Sequence, residues 1–512
     1  MPPSPSRLFA EIATAERPAE TRVVMRRAVV LGGSMAGLLA ARVLSDHAEE
    51  VLIVERDPSD VDAGPRPGVP QGSQVHALLP AGQVQLERWF PGIADEALAL
   101  GAPPPPRDPG TAKVFVNGML GLPPAATGTG PALITTRPFL EALVRRRTLA
   151  VDNIRMVYGR AEGLLFDERR VTGVRYVPEG GTEPVVEAAD LVVDAMGRSS
   201  RLSDWLAEHG WPRPPMQRMP IKLNYATALF RRDEKVSDAW VAVFHTMAGR
   251  GRTARIGGIN SVEGDRWIML VAGYDGDRPS RDVADFTARC REHYPQMFGD
   301  IAEHGEMLGG VVTYHQADSR RRDFHKLDRL PAGLVAAGDA VASFNPVYGQ
   351  GMTSATLHAS CLSRYLRSGP RPHDEPARAY FDQVRVVVDA AWQISTTADI
   401  ELPHVDGPYP PGYKVTKWFG DLLFRASLTD PVLNARLGRV TTMLDHPAAL
   451  SRPGTLLRAL RLGLLGSSRR CSPVTRRPWR GAVENGGPGR AAATDRGSGS
   501  ARNQPPWPAS PP

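Results

Sequence analysis

Residues 29–44 read VVLGGSMAGLLAARVL, and the meaning of Ser34 in this stretch decides the fold. A short apolar run, Ala28 to Leu31, leads into Gly32-Gly33, and Met35 to Leu44 has the alanine and leucine content of a buried helix. A strand, a tight turn and a helix in that order make a unit whose helix N-terminus offers free backbone N–H groups to a pyrophosphate. Such a unit carries the pattern G-x-G-x-x-G. Gly32 and Gly37 fill its first and last positions, while Ser34 fills the middle one. Close approach of backbone to phosphate favours no side chain there. Serine disturbs this least, because it is small and its hydroxyl can donate to a phosphate oxygen, so the stretch reads as a working variant.

The next apolar run supports that reading. VLIVERD, residues 51–57, has the pattern of a second parallel strand. It ends in Glu55, about the twenty residues further on at which a carboxylate reaches a ribose hydroxyl. The expected fold class is α/β.

At 512 residues and 42% hydrophobic, the chain is long enough for a large core and two intertwined domains. Its net charge of +7 comes from arginine scattered among 55 acidic residues, which is a poor signature for nucleic-acid binding. Cys290, Cys361 and Cys471 are far apart and form no C-x-x-C, so the sequence points to a reducing cytoplasm, without disulfides and without metal. No run reaches the length of a membrane span.

Residues 1–26 are polar and contain proline. They read as a flexible arm ahead of Met25, itself a candidate start. Residues 27–215 read as the first part of a Rossmann-like nucleotide-binding domain. Within 216–325, KLNYATALF, WVAVFHTM and DRWIMLVAG alternate in period two and predict an inserted antiparallel β-sheet substrate domain. The nucleotide-binding domain resumes over 326–370, C-terminal helices follow over 371–466, and 467–512 has the composition of a disordered tail.

A second chemical signature lies in GDAVASFNPVYGQGMT, residues 338–353. Gly338 lets a strand end close to a ligand, and Asp339 can accept hydrogen bonds from sugar-like hydroxyls. Pro346 and Gly349-Gln350-Gly351 form a loop that opens onto a helix whose positive end stabilises negative charge, as on a reduced flavin ring.

With these two stretches, the chain over roughly 27–400 resembles FAD-dependent monooxygenases of the aromatic-hydroxylase type (group A flavoprotein monooxygenases). The resemblance implies that Gly32, Gly33, Ser34, Met35, Ala36, Gly37 and Glu55, with Arg56, hold the ADP half of FAD. It implies that Asp339, beside Gly338, binds the ribityl chain, and that Pro346, Gly349, Gln350, Gly351 and Met352 lie along the isoalloxazine. Arg137, in TTRPFL, approaches the cofactor, as do Gln74 and His76. RPGVPQGSQVHALL (66–79), FNPVYGQGM (344–352) and AWQISTTADIELP (391–403) are similar to the actinobacterial flavin epoxidases of polyether biosynthesis, a branch that also includes flavin-bound cyclases without net redox change. One departure stands out. The family usually has Asp-Gly after the LVVDA strand, associated with FAD and NADPH, and this chain has Met196-Gly197.

Several residues keep two readings. His76 contacts flavin or is structural, and Arg66 meets phosphate or caps a loop. Tyr348 lines the pocket or packs, as a pocket candidate beside His76 and Pro346. Arg320 to Arg322 greet NADPH phosphates or form a solvated turn. Leu456 to Leu465 rests on a membrane surface or docks on the domain. The middle sheet shows no paired base. The expected function is insertion of one atom of O2, through a flavin C4a-hydroperoxide, into an apolar small-molecule substrate from secondary metabolism, chiefly as alkene epoxidation. NADPH (or NADH) serves as transient reductant. The alternatives are an aromatic polyketide or terpenoid hydroxylase, and an FAD-bound non-redox cyclase or scaffold.

Overall fold

The fingerprint strand, Met25–Leu31, lies inside a seven-stranded sheet with Ala48–Glu55 on one side and Leu191–Asp194 on the other, both parallel to it. Leu334–Ala336 and Ile154–Phe166 extend the parallel core, and Val171–Pro178 and Val185–Ala188 continue it as antiparallel strands. Ala28 to Leu31 and Val51 to Ile53 are fully buried, the burial on both faces expected of parallel strands under helices. The computed structural model describes residues 3–57, 64–123, 128–129, 132–248, 252–407 and 409–465. The expected tail, 467–512, and Cys471 lie outside them.

A second seven-stranded sheet runs in the order Met307–Gln316, Leu223–Arg231, Arg266–Tyr274, Arg255–Val262, Val241–Thr246, Ala112–Val116, Met119–Leu120. It is antiparallel except where Val241–Thr246 meets Ala112–Val116. Ala112–Val116 and Met119–Leu120 come from residues expected in the nucleotide-binding half. A hairpin with Gly264 and Asp265 at positive φ (74° and 52°) sets the register of the two central strands. Period-two alternation gives this sheet two apolar faces. Ala226, Phe230, Trp267 and Met269 pack under helices Val283–His293 and Gln296–His304. Leu223, Tyr225, Leu270 and Tyr274 face Ile400, Leu402 and Val405 beyond helix Arg378–Asp399.

The N-terminal stretch differs from the expected flexible arm. Pro5–Ile12 is a helix, N-capped by Ser4 with Pro5 in its first turn. Phe9 and Ile12 are each 1% exposed in the main core. Its last carbonyls are satisfied from helix Pro80–Trp89: Arg88 donates to Ile12 O at 3.1 Å, and Gln85 donates to Ala13 O and Thr14 O. A buried cation at a helix C-terminus is favourable twice, by hydrogen bond and by dipole.

Helices Arg378–Asp399, Tyr413–Ser427, Pro431–Thr441 and Pro453–Leu465 complete the described chain. The last of these buries Thr455 and Ala459 and ties Arg458 to Asp430 at 2.7 Å, so it docks on its neighbours while Leu457 stays exposed. Among the described residues no helix is long and apolar enough to cross a membrane. Cys290 and Cys361 are free and buried.

Candidate functional site

A cavity of about 1000 Å³ opens along the C-terminal ends of the parallel strands. The fingerprint strand has neighbours reached in opposite directions, and this reversal is where α/β sheets bind ligands. Gly32, Ser34, Met35 and Ala36 line it, with Glu55, Arg56, His76, Arg137, Gly338, Asp339, Pro346, Gly349, Gly351 and Met352. Gly33, Gly37, Gln74, Tyr348 and Gln350 do not. Gly37 packs against the turn, since a Cβ there would lie 1.8 Å from Gly32 O. Gln74 accepts from Thr227 Oγ1 at 2.6 Å and ties its loop to the second sheet. Gln350 is buried with an unpaired amide.

Two helices begin at this cavity without side-chain caps. Met35–Leu44 starts after Ser34, and Gln350–Ser368 starts after Gly349 at φ 66°. Their first-turn N–H groups are free for an anion or a polarised ring.

Ser34 does not use its hydroxyl as expected. It donates to Glu141 Oε2 at 2.8 Å and accepts from Arg137 at 2.9 Å, so it is committed to helix Arg137–Leu149. Glu141 also pairs with Arg66, which in turn reaches Asp57 at 3.0 Å and Glu55 at 3.4 Å. Burial alone would raise the Glu141 carboxyl, but the Arg137 and Arg66 guanidiniums outweigh it and hold it at about 2. Glu55, 6% exposed, accepts from the backbone N–H groups of Gly33 and Asp57. Arg66 is therefore a member of the cavity wall and more than a loop cap.

Arg320 to Arg322 form a strand rather than a solvated turn. Arg320 lines the cavity beside Asp318, while Arg321 and Arg322 are buried on Asp323 and on Ala340 O. Met196 and Gly197 also line the cavity, so no carboxylate stands at the position of the family's usual Asp. Asp194 instead braces that loop, accepting from Met196 N and Ser200 Oγ.

A family model described as FAD binding domain matches residues 25–371. The chain belongs to that family. It is an FAD-dependent monooxygenase, and FAD is its cofactor. Protein Rv3254 of Mycobacterium tuberculosis is 32% identical over 464 residues, covering 88% of this chain and 97% of the relative. The kynurenine 3-monooxygenase of Salinispora arenicola is 27% identical, covering 85% and 98%. Among solved structures, the flavin-dependent brominase Bmp2 shares the fold at a TM-score of 0.58 with 17% identity, over 85% of this chain and 98% of that one. The p-nitrophenol 4-monooxygenase PnpA of Pseudomonas putida DLL-E4 does so at 0.56 with 15% identity, over 84% and 100%.

The residues present fit an FAD. Two uncapped helix starts suit its pyrophosphate and its electron-accepting ring. A Cβ on Gly351 would meet only Asp339 Oδ1, at 3.9 Å, and otherwise project into free space. His76 donates from Nδ1 to Gln74 O at 2.9 Å, leaving Nε2 an acceptor. Burial first, then Arg137, pushes its pKa down to about 4.

Three positions escaped sequence reading. Glu141 lies one helical turn beyond Arg137, so its partner was legible at i,i+4. His358 accepts from Gly338 N at 3.0 Å and fixes the strand end before Asp339; burial pushes its pKa down to about 3, so it stays neutral. Asp399 accepts from Asn345 at 2.8 Å and from the Tyr348 hydroxyl at 3.1 Å. Tyr348 is thereby engaged behind the wall.

Proposed function

We propose that this flavoprotein inserts one oxygen atom of O2 into an apolar secondary metabolite, as the epoxidation of an alkene, with NADPH (or NADH) as reductant. On this reading Glu55 and the turn Gly32–Gly37 hold the adenosine and pyrophosphate, with Arg56 and Arg137 nearby. Asp339 meets the ribityl chain, and the loop from Pro346 to Met352 flanks the isoalloxazine. Residues 27–215 and 326–370 then act as the FAD-binding part and 216–325 as the substrate part. Arg320, on the cavity wall, is the member of its run suited to a nicotinamide phosphate. The setting is cytoplasmic, in a pathway such as antibiotic biosynthesis, and the relation to polyether epoxidases belongs to this proposal.

The observation that carries it is the second sheet's inner face. Tyr225, Ile256, Leu270, Ala272 and Tyr274, with Ile400 and Leu402, form an apolar core packed beside Val347 of the flavin loop, and Val75 and Tyr314 at its edge reach the cavity. Its polar atoms are neutral. Burial pushes the Tyr225, Tyr274 and Tyr348 hydroxyls above their usual range. Bound FAD, reduced by the nicotinamide, supplies the activation of O2. The chain's part is to exclude water and hold the alkene against the ring. Oxygen transfer to an alkene needs no more than a dry pocket and an electrophilic donor.

A second reading, hydroxylation of an aromatic polyketide or terpenoid, is favoured by the similarity to proteins named kynurenine 3-monooxygenase and p-nitrophenol 4-monooxygenase. The test is turnover of the holoenzyme with NADPH and isotopically labelled O2, offered a polyene and a phenol. An epoxide carrying one labelled oxygen supports the first reading, and a labelled catechol supports the second. A flavin that stays oxidised in the presence of NADPH and either substrate would point to the cyclase or scaffold.

A further inference from the structure

Asp399 ends helix Arg378–Asp399 and is 1% exposed, with no ion pair among the described residues. One of its oxygens, Oδ1, accepts from two side chains at once, Asn345 Nδ2 and Tyr348 Oη. These two residues stand at either side of Pro346, which lines the cofactor cavity, and Tyr348 directly precedes Gly349, the start of the uncapped helix. Asn345 is fully buried, and its own Oδ1 accepts from Val347 N at 3.2 Å while its Nδ2 also lies 3.3 Å from the Tyr274 hydroxyl. The other Asp399 oxygen, Oδ2, is buried without a partner.

We infer that Asp399 is the positioning residue that sets the loop from Asn345 to Gly349, and with it the helix start, against the flavin ring. The inference rests on the proposal that this loop flanks the isoalloxazine. A single acceptor atom holding both flanks of a short loop fixes its height over the cavity floor, much as one peg fixes two cords. The titratable groups facing Asp399 are Tyr348 on the loop and Tyr225 and Tyr274 on the second sheet, all neutral. Burial pushes the carboxyl up to about 7, against the two hydrogen bonds that favour its ionised form. Ionisation converts both bonds to charge-assisted ones, which are shorter and stronger, so the loop is drawn tighter as pH rises. Displacements of about 1 Å at such a site cost up to about a hundredfold in rate.

The test uses FAD-loaded wild type, Asp399→Asn, Asp399→Leu, Tyr348→Phe and Asn345→Ala, with the visible spectrum of bound flavin followed from about pH 5.5 to about pH 8.5. The wild-type spectrum is expected to titrate with a midpoint near 7. Asp399→Asn keeps the acceptor and should hold the low-pH spectrum throughout, while Asp399→Leu should differ at every pH. Tyr348→Phe should titrate with reduced amplitude. Flavin reduction by NADPH should fall about tenfold in the leucine variant and stay within about twofold in the asparagine variant. An asparagine variant that still titrates like the wild type overturns the inference. So does a leucine variant that superposes on the wild type; if Asn345→Ala shifts the spectrum, the loop reading survives that failure, and if it does not, both fall. Should the leucine variant lose its FAD, the asparagine and phenylalanine variants decide alone.

Discussion

The two ends of the cofactor cavity are held by opposite means. Around Ser34, the wall is ionic: Glu141, Arg66, Arg137, Asp57 and Glu55 lie within hydrogen-bonding or ion-pair distance of one another, and all are buried. Around Pro346, the loop is braced from behind by hydroxyls and an amide that meet at the Asp399 carboxyl. The ionic end is locked, because Glu141 is held at about 2 and stays charged at any working pH. The neutral end can change, because Asp399 sits at about 7. On the proposed placement of FAD, the fixed charge lies toward the pyrophosphate and the titratable carboxyl toward the ring.

The sharpest way to break this contrast is at Glu141. Glu141→Ala leaves Arg66 and Arg137 buried without their shared carboxylate, a loss of about 3–5 kcal/mol of stability, read by chemical denaturation. The wild-type contribution has a defined pH window. The folded pKa lies below the ordinary 4.5, so this stability is complete above about 4.5 and is lost as pH falls toward about 2. A variant as stable as the wild type at neutral pH would mean that the ionic end is not locked.

Glu55→Ala should weaken FAD binding by about ten- to a hundredfold, the range of about 1.5–3 kcal/mol for a charged acceptor. It also frees the Gly33 and Asp57 N–H groups, so circular dichroism must show the fold retained. At the other end the sign is reversed. Asp399 has a folded pKa raised above the ordinary 3.8, so the advantage of its protonated form is present at low pH and disappears as pH rises through about 7. Denaturation of Asp399→Asn against the wild type should therefore show a gap widening in the variant's favour from about pH 3.8 to about pH 7, by at most about 1.4 kcal/mol per pH unit. A gap that is flat with pH would place the carboxyl in the ordinary range. The smallest effect is Ser34→Gly, which removes the hydroxyl bonds to Glu141 and Arg137 but restores the usual residue; FAD affinity should change by less than about fivefold.

Legibility followed locality. The turn Gly32–Gly37, Glu55, Asp339 and the Pro346–Met352 loop belong to short patterns whose chemistry is local, and ten of these fifteen residues line one cavity. Partners far apart in the chain were hidden. Glu141 meets Ser34 across 107 residues and Asp399 meets Asn345 across 54, and no periodicity predicts such pairs. The N-terminal helix was missed although Ser4-Pro5 is a cap signal and Phe9 and Ile12 share a face. Eight residues cannot hold a helix alone; its hold comes from Arg88 and Gln85, more than 70 residues away. The second sheet was readable from alternation, but its strands Ala112–Val116 and Met119–Leu120 are too short for alternation to mark them.

The central claim is that one FAD spans both uncapped helix starts, and its most direct test is the affinity and stoichiometry of FAD for the wild type, Ser34→Val and Gly351→Val, by fluorescence quenching. The two substitutions place a branched side chain at opposite ends of the same cavity, where the backbone must approach the ligand. The account predicts one FAD per chain in the wild type and a loss of affinity in both variants of at least about a hundredfold. Wild-type affinity in either folded variant would show that the cofactor does not reach that helix start, and would contradict the account.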